Sequence, residues 1–189
     1  MKTIAVIGFN AFTWTLLLLS IVLAVSCTEA KKDKFPEHKA DERSTADSVV
    51  DLNRRVVESE IQEIDDYIRR YQWEMMKTQT GLRYMIYQKG SGPVVSQGSI
   101  VSIKYRVNLL NGDLVFRTDP AKLFSFQTGK RDVVSGLEEG VMLMKKGDHA
   151  KLIVPSHLAF GLLGDLGKVP SRAVLVYDVE LCEINQVKK

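Results

Sequence analysis

The sequence predicts an α+β domain, several antiparallel strands with one short helix lying against them, preceded by a long amphipathic helix. Three observations carry this. Between Leu82 and Ile184, short alternating apolar runs are separated by turns rich in glycine, asparagine and proline. Among them, VSGLEEGVMLM (134–144) sets Leu137, Val141 and Met144 at i, i+4 and i+7, one face of a helix of about three turns. Ahead of them, residues 46–77 contain no glycine or proline and carry one apolar stripe.

The elements follow in order. MKTIAVIGFNAFTWTLLLLSIVLAVSC (1–27) has Lys2 and then no charge before Cys27. A positive start, an apolar run and small residues near its end predict an export signal over residues 1–26. A retained membrane helix is the competing reading of the same run. TEAKKDKFPEHKADERSTAD (28–47) is polar and charged with one proline, so residues 27–45 read as a flexible tether. Ser44-Thr45-Ala46-Asp47 has the composition of a helix cap. Val57, Ile61, Ile64, Ile68, Tyr71 and Met75 then recur at steps of four and three, one stripe on a helix over 46–78. Such a stripe must be covered, either by the following domain or by a second copy in a homodimer. Gly81 is a stop signal.

The domain expected over 80–186 is strand-rich. LRYMIYQK (82–89) alternates and ends at the turn GSGP (90–93). SIVSIKYRVNLL (99–110) leads into Asn111-Gly112, a strong hairpin signal, and DLVF (113–116) returns. LFSFQTGK (123–130) is a short strand and turn. After the helix, Lys146-Gly147-Asp148 breaks the pattern, and Ala150, Leu152 and Val154 alternate as in a half-buried strand. HLAFGLLGDLGKVPSR (157–172) is a glycine-rich loop. AVLVYDVELCEI (173–184) sets Leu175, Tyr177, Val179 and Leu181 on one face.

Composition narrows the function. The chain has 189 residues, 45% hydrophobic and 26% charged, with a formal net charge of +3. That charge is too small to argue for nucleic acid. In RRVVESEIQEIDDYIRR (54–70) the signs alternate, as on a solvated helix face. Cys27 and Cys182 are the two cysteines and give no disulfide framework. Cys182, in an apolar strand, reads as a structural thiol. His149 and His157 read as partly exposed polar residues, not catalysts. Residues 134–155 hold no nucleophile beside a base and no metal cluster, and the sequence suggests neither a metal nor an organic cofactor.

Two resemblances sharpen this. LAVSC (23–27) resembles the lipobox of bacterial lipoproteins, although Ala24 stands where leucine is usual. That resemblance implies a lipidated Cys27 as the new N-terminus, and two or more acyl chains make a lasting anchor. It implies a place in the bacterial cell envelope, on the periplasmic side or in the outer membrane. GLRYMIYQKGSGPVVSQGSIVSIKYRVNLLNGDLVF (81–116), FSFQTGKRDVVSGLEEGVMLMKKGDHAKLIVPSHLAFG (124–161) and VPSRAVLVYDVELCEI (169–184) together resemble the FKBP-type peptidyl-prolyl cis-trans isomerases. The lipobox and TGLRYMIYQKGSG (80–92) are also similar to lipoprotein isomerases of the gliding-motility-associated type.

The family resemblance implies a twisted antiparallel sheet wrapped around the helix at 136–144. It implies a catalytic pocket lined from the strands by Tyr105, Phe116, Phe124 and Tyr177. Val133, Val134 and Leu137 would line it from the helix end, and Phe160 and Val169 from the long loop. The backbone N–H of Val134 would hold the carbonyl before proline. Substrates would be X–Pro segments of unfolded exported proteins, with a non-catalytic, membrane-tethered chaperone or assembly factor as the second reading. Five positions depart from the family pattern. Arg117 replaces an aspartate that anchors the pocket, Phe160 replaces a tyrosine, Leu137 replaces a tryptophan, and Val169-Pro170-Ser171 replaces I-P-P.

Overall fold

The computed structural model describes residues 42–185. The expected export signal, Cys27 and residues 28–41 of the expected tether lie outside the described residues. Among the described residues, no helix is long and apolar enough to cross a membrane.

Helix α1 spans Glu42–Tyr71. Strands β1 (Met76–Lys77), β2 (Arg83–Gln88), β3 (Ile100–Leu109), β4 (Leu114–Arg117) and β5 (Phe124–Gln127) follow. Helix α2 is Ser135–Met142, then come β6 (His149–Val154), a 3-10 turn at Ser156–Leu158, and β7 (Leu175–Asn185). The strands form one seven-stranded sheet in the order β1-β2-β6-β7-β3-β4. Every pairing is antiparallel. β3 is long enough to serve two partners along one edge. β5 pairs with its start, Ile100 to Ile103, and β4 with its end, Arg106 to Asn108. The Asn111-Gly112 signal closes the β3–β4 hairpin. Gly112 takes φ +96°, and its N–H donates to the Leu109 carbonyl at 2.9 Å.

The sheet wraps α2. Leu137 and Val141 of α2, with Met144 just beyond it, are buried against Leu152, Val154, Leu175, Val179 and Leu181. The helix comes this close because its sheet-facing positions include Gly136 and Gly140. A Cβ on Gly136 would stand 2.3 Å from Val154 Cγ1, and one on Gly140 2.4 Å from Leu152 Cδ1. Both distances are below any tolerable contact, so the two glycines set the spacing.

The outer face of the same strands carries a second core. Ile64 and Tyr67 of α1 are buried with Ile153, Val174 and Val176, and Ile68, Trp73 and Met75 pack around them. β6 and β7 are thus apolar on both faces where helices cover both. Polar ties fix α1 in register. Arg83, almost fully buried, pairs with Asp65 at 2.9 Å. The Glu60 carboxylate accepts from Ser156 N–H at 2.7 Å and from its hydroxyl at 2.6 Å. Covering of the stripe by the following domain is therefore what the structure shows for Ile64 and Ile68, while Val57 and Ile61 nearer the start of α1 stay exposed.

The end of α1 differs from the sequence expectation. The helix stops at Tyr71, not near 78, and Met75 lies beyond it. Trp73 N–H donates to the Ile68 carbonyl at 3.1 Å and Gln72 N–H to that of Arg69 at 3.2 Å, the paired bonds of a Schellman motif. Gln72 occupies its left-handed position at φ 54°. Because the residue there is not glycine, nothing local announced the stop. At the other end, Ser44 to Asp47 lie inside the helix rather than ahead of it.

Candidate active site

Between the concave face of the sheet, the start of α2 and the loop after β6 lies a cavity of about 180 Å³. β3 contributes Tyr105, β4 Phe116, β5 Phe124 and β7 Tyr177. Val133 and Val134 precede α2, Leu137 comes from its first turn, and Phe160 from the loop. Strand alternation explains the convergence. Phe116 sits opposite Val107 and Tyr105 opposite Val179, so their side chains share the face of these two core residues.

The walls are aromatic and interlocked. Tyr105 meets Phe124 edge to face, ring centroids 5.5 Å apart at 83°. Tyr105 also lies 6.2 Å from Tyr177, and Phe116 lies 6.2 Å from Phe160. These are distances at which aromatic pairs attract. Local hydrogen bonds hold the rings. Tyr105 N–H donates to the Thr118 hydroxyl at 3.1 Å, and Thr118 N–H returns to the Tyr105 carbonyl at 3.0 Å. Ser135 Oγ donates to the Leu158 carbonyl at 3.2 Å, tying the start of α2 to the segment that carries Phe160. Thr118 and Ser135 were not singled out in the sequence, because each acts through a backbone group distant along the chain.

Among the described residues, no charged side chain lines the cavity. Its polar groups are the two phenols and the backbone. Neither phenol hydroxyl has a hydrogen-bond partner among the described residues, and neither is sealed from solvent. Burial, followed by the charge of Tyr105, pushes Tyr177 well above the usual tyrosine range. Burial also raises Tyr105. Both are therefore neutral donors at physiological pH. Val134 caps α2 with its carbonyl, which accepts from Leu137 and Glu138 N–H at 3.1 and 3.2 Å. Its own N–H has no acceptor among the described residues. A cavity of about 150 Å³ takes one benzene-sized ring, so this one holds a single small ring and offers donors to a neighbouring carbonyl.

Val169 does not join the other expected lining residues. It is buried in the main core. Its N–H donates to Asp165 Oδ1 at 2.6 Å, and this bond, with that from Gly167, holds the Asp165 carboxyl below its ordinary range. Val169 thus shapes the loop from inside. Arg117 is also outside the cavity. It stands opposite Arg106 on the other face of the β3–β4 ladder, beside a depression that Lys168 helps to line. Asp119 caps a turn through Ala121 N–H at 2.9 Å and brings no carboxylate to the site. His149 lies in β6 near Tyr87, and His157 is bonded to the Thr80 carbonyl, both away from the cavity. Cys182 is half-buried in β7, its thiol raised by burial.

Residues 92–182 match the sequence family described as FKBP-type peptidyl-prolyl cis-trans isomerase. FK506-binding protein 4 of Dictyostelium discoideum is 37% identical over 107 residues, 57% of this chain and 29% of that protein. The FKBP-type peptidyl-prolyl cis-trans isomerase FkpA of Buchnera aphidicola is 30% identical over 108 residues, 57% of this chain and 44% of the relative. The match thus spans less than half the length of either curated relative. A crystal structure of a peptidyl-prolyl cis-trans isomerase from Pseudomonas syringae superposes with a TM-score of 0.58 at 20% identity, covering 68% of this chain and 96% of that one, a likeness of fold. Residues 92–182 thus belong to an FKBP-type peptidyl-prolyl cis-trans isomerase domain, and the fold around them agrees.

Proposed function

We propose that this chain is a peptidyl-prolyl cis-trans isomerase, anchored to a bacterial membrane by a lipidated Cys27 and acting on X–Pro bonds of exported proteins as they fold. The observation that carries the catalytic part is an aromatic cavity that, among the described residues, has no charged side chain in its lining and leaves the Val134 N–H without an acceptor. Rotation about X–Pro breaks no covalent bond. Its barrier of about 18–20 kcal/mol is lost amide resonance. As the amide twists, charge separation between its nitrogen and oxygen falls, so a water-poor, aromatic site favours the twisted form over the planar one. Proline fills the cavity, Val134 N–H receives the carbonyl of the preceding residue, and the phenols of Tyr105 and Tyr177 donate to flanking carbonyls. No nucleophile is needed. The anchor rests on LAVSC and the uncharged run before it.

One observation favours a second reading, a non-catalytic, membrane-tethered chaperone or assembly factor. The lining holds Phe160, without the hydroxyl a tyrosine would bring, and no carboxylate among the described residues. Losing one hydrogen bond costs about 0.5–1.5 kcal/mol, roughly two- to tenfold in affinity. The deciding measurement is protease-free X–Pro isomerisation by the full chain and by Phe116→Ala. Acceleration abolished by the substitution, with native circular dichroism, supports the isomerase. A folded chain that binds proline peptides without accelerating exchange supports the second reading. For the anchor, Cys27→Ser should release the chain from membranes, and unchanged fractionation would remove the lipid from the proposal.

A further inference from the structure

A second cavity lies apart from the candidate isomerase site. A groove of about 520 Å³ runs between α1 and the domain. Val57 and Ile61 form part of one wall, and the turn before β2, the Pro155–His157 segment and Leu162 form the other. The volume lies within the ordinary range of ligand clefts, about 300–1,000 Å³.

Resting on the isomerase reading above, we infer that this groove is an accessory binding site for the polypeptide substrate, taking an extended aliphatic segment that carries a carboxylate. Three features converge on that occupant. The first is continuity. Phe160 walls the isomerase cavity and Leu162, two residues on, walls the groove. Two residues span at most about 7 Å. The cavity holds one ring, so the residues flanking the proline must lie outside it. On that same loop Leu162, Leu163 and Leu166 are exposed by 65%, 78% and 91%, and Leu162 reaches the groove itself. A cluster of this kind on one loop marks an interaction surface rather than scattered exposure.

The second feature is charge. Glu60 accepts two hydrogen bonds from Ser156 and keeps its negative charge, while Arg83 is paired with Asp65. Lys77 and Arg172 also line the groove and form no ion pair among the described residues. The lining therefore mixes aliphatic and polar side chains, with these two cations against the one carboxylate of Glu60, an excess that selects an acidic side chain beside aliphatic ones. The third is shape. A helix is about 10–12 Å across, so this volume houses roughly one turn of it. An extended segment fits better than the α1 helix of a second copy.

The test uses the full chain, the tetrapeptide Ala-Leu-Pro-Phe, and the same peptide extended on either side by ten residues of Leu, Val and Asp. A fluorescein-labelled, proline-free version of the extension reports direct binding by anisotropy. The extended substrate on its favoured side should show a KM about tenfold below that of the tetrapeptide, the worth of burying about one aliphatic side chain. Val57→Asp, at an exposed position of α1, should abolish that advantage and the anisotropy signal and leave tetrapeptide kcat/KM unchanged. Lys77→Glu should weaken the Asp-containing extension but not one with Lys in its place. If neither substitution alters the extended substrate or the proline-free probe, the inference falls. It falls equally if Val57→Asp halves the sedimenting mass with peptide binding intact, since the occupant is then a second copy. Probe binding that depends on Val57, in a chain that isomerises nothing, upholds the groove and rejects the isomerase reading alone.

Discussion

Tyr177 combines the two properties the cavity needs, an aromatic wall and a neutral donor. Its hydroxyl has no protein partner among the described residues and reaches solvent through the cavity. Tyr177→Phe keeps the wall and removes the donor. If the hydroxyl binds a substrate carbonyl, kcat/KM should fall two- to tenfold, the worth of about one hydrogen bond. An unchanged rate would leave Val134 N–H as the cavity's working donor. The pH profile follows from the same residues. Burial raises both Tyr177 and Tyr105 above the ordinary value of 10, and among the described residues no histidine or carboxylate lines the cavity. Between about pH 6 and 9, kcat/KM should therefore be level. A bell-shaped profile in that range would mean that a group outside the lining takes part. At this scale the sequence was legible wherever a side chain follows strand alternation, as for Tyr105, Phe116 and Tyr177. Val169 was not, because the loop around it is folded by the Asp165 carboxylate accepting from the Gly167 and Val169 N–H groups, which no periodicity encodes.

At the scale of elements, α2 and α1 pose opposite problems. α2 sits close to β6 because Gly136 and Gly140 face it. Gly140→Ala raises helix propensity by about 1 kcal/mol, but its methyl would meet Leu152 Cδ1 at 2.4 Å. Overpacking costs about 1–3 kcal/mol, so the clash wins and the variant should be less stable by urea titration. A stabilised variant would show that the layer between α2 and β6 is loose. The end of α1 offers the reverse. Gln72 holds a left-handed conformation at φ 54°, which costs an ordinary residue about 1–2 kcal/mol and glycine almost nothing. Glycine's greater freedom in the unfolded chain offsets about 0.5–1 kcal/mol of this relief, so Gln72→Gly should raise stability by about 1 kcal/mol at most, roughly 2–4 °C in Tm. A lower Tm would mean that the glutamine side chain makes up the strain. The strands and α2 were readable because each carries a full period of apolar residues. β1, two residues long, and the 3-10 turn at Ser156–Leu158 are too short for a period to show.

Across the whole molecule, the sheet is a shared wall. Its concave face holds α2 and the candidate site, and its convex face holds α1. The sequence displayed the stripe on α1 but left its partner open, since the residues that cover it, Ile153, Val174 and Val176, lie far along the chain. Alkaline pH tests whether this seam is part of the folded unit. Tyr67 is buried in it, and burial first, then Tyr71, pushes its hydroxyl from 10 to about 12. Tyr87 donates to Asp178 of β7 at 2.8 Å, and burial and that bond raise it likewise to about 12. Below the unfolded value of 10 these phenols are neutral in folded and unfolded chains alike, so their full contribution is present. As pH rises toward 12 the unfolded chain loses protons that the folded chain keeps, and stability falls through that window. Tm by circular dichroism should hold steady to about pH 9 and then drop steeply toward pH 12. Tyr67→Phe cannot ionise and should make the drop shallower. A helix signal lost ahead of the sheet signal, or a slope indifferent to Tyr67→Phe, would mean that α1 leaves the sheet independently and that its groove is not a fixed feature of the fold.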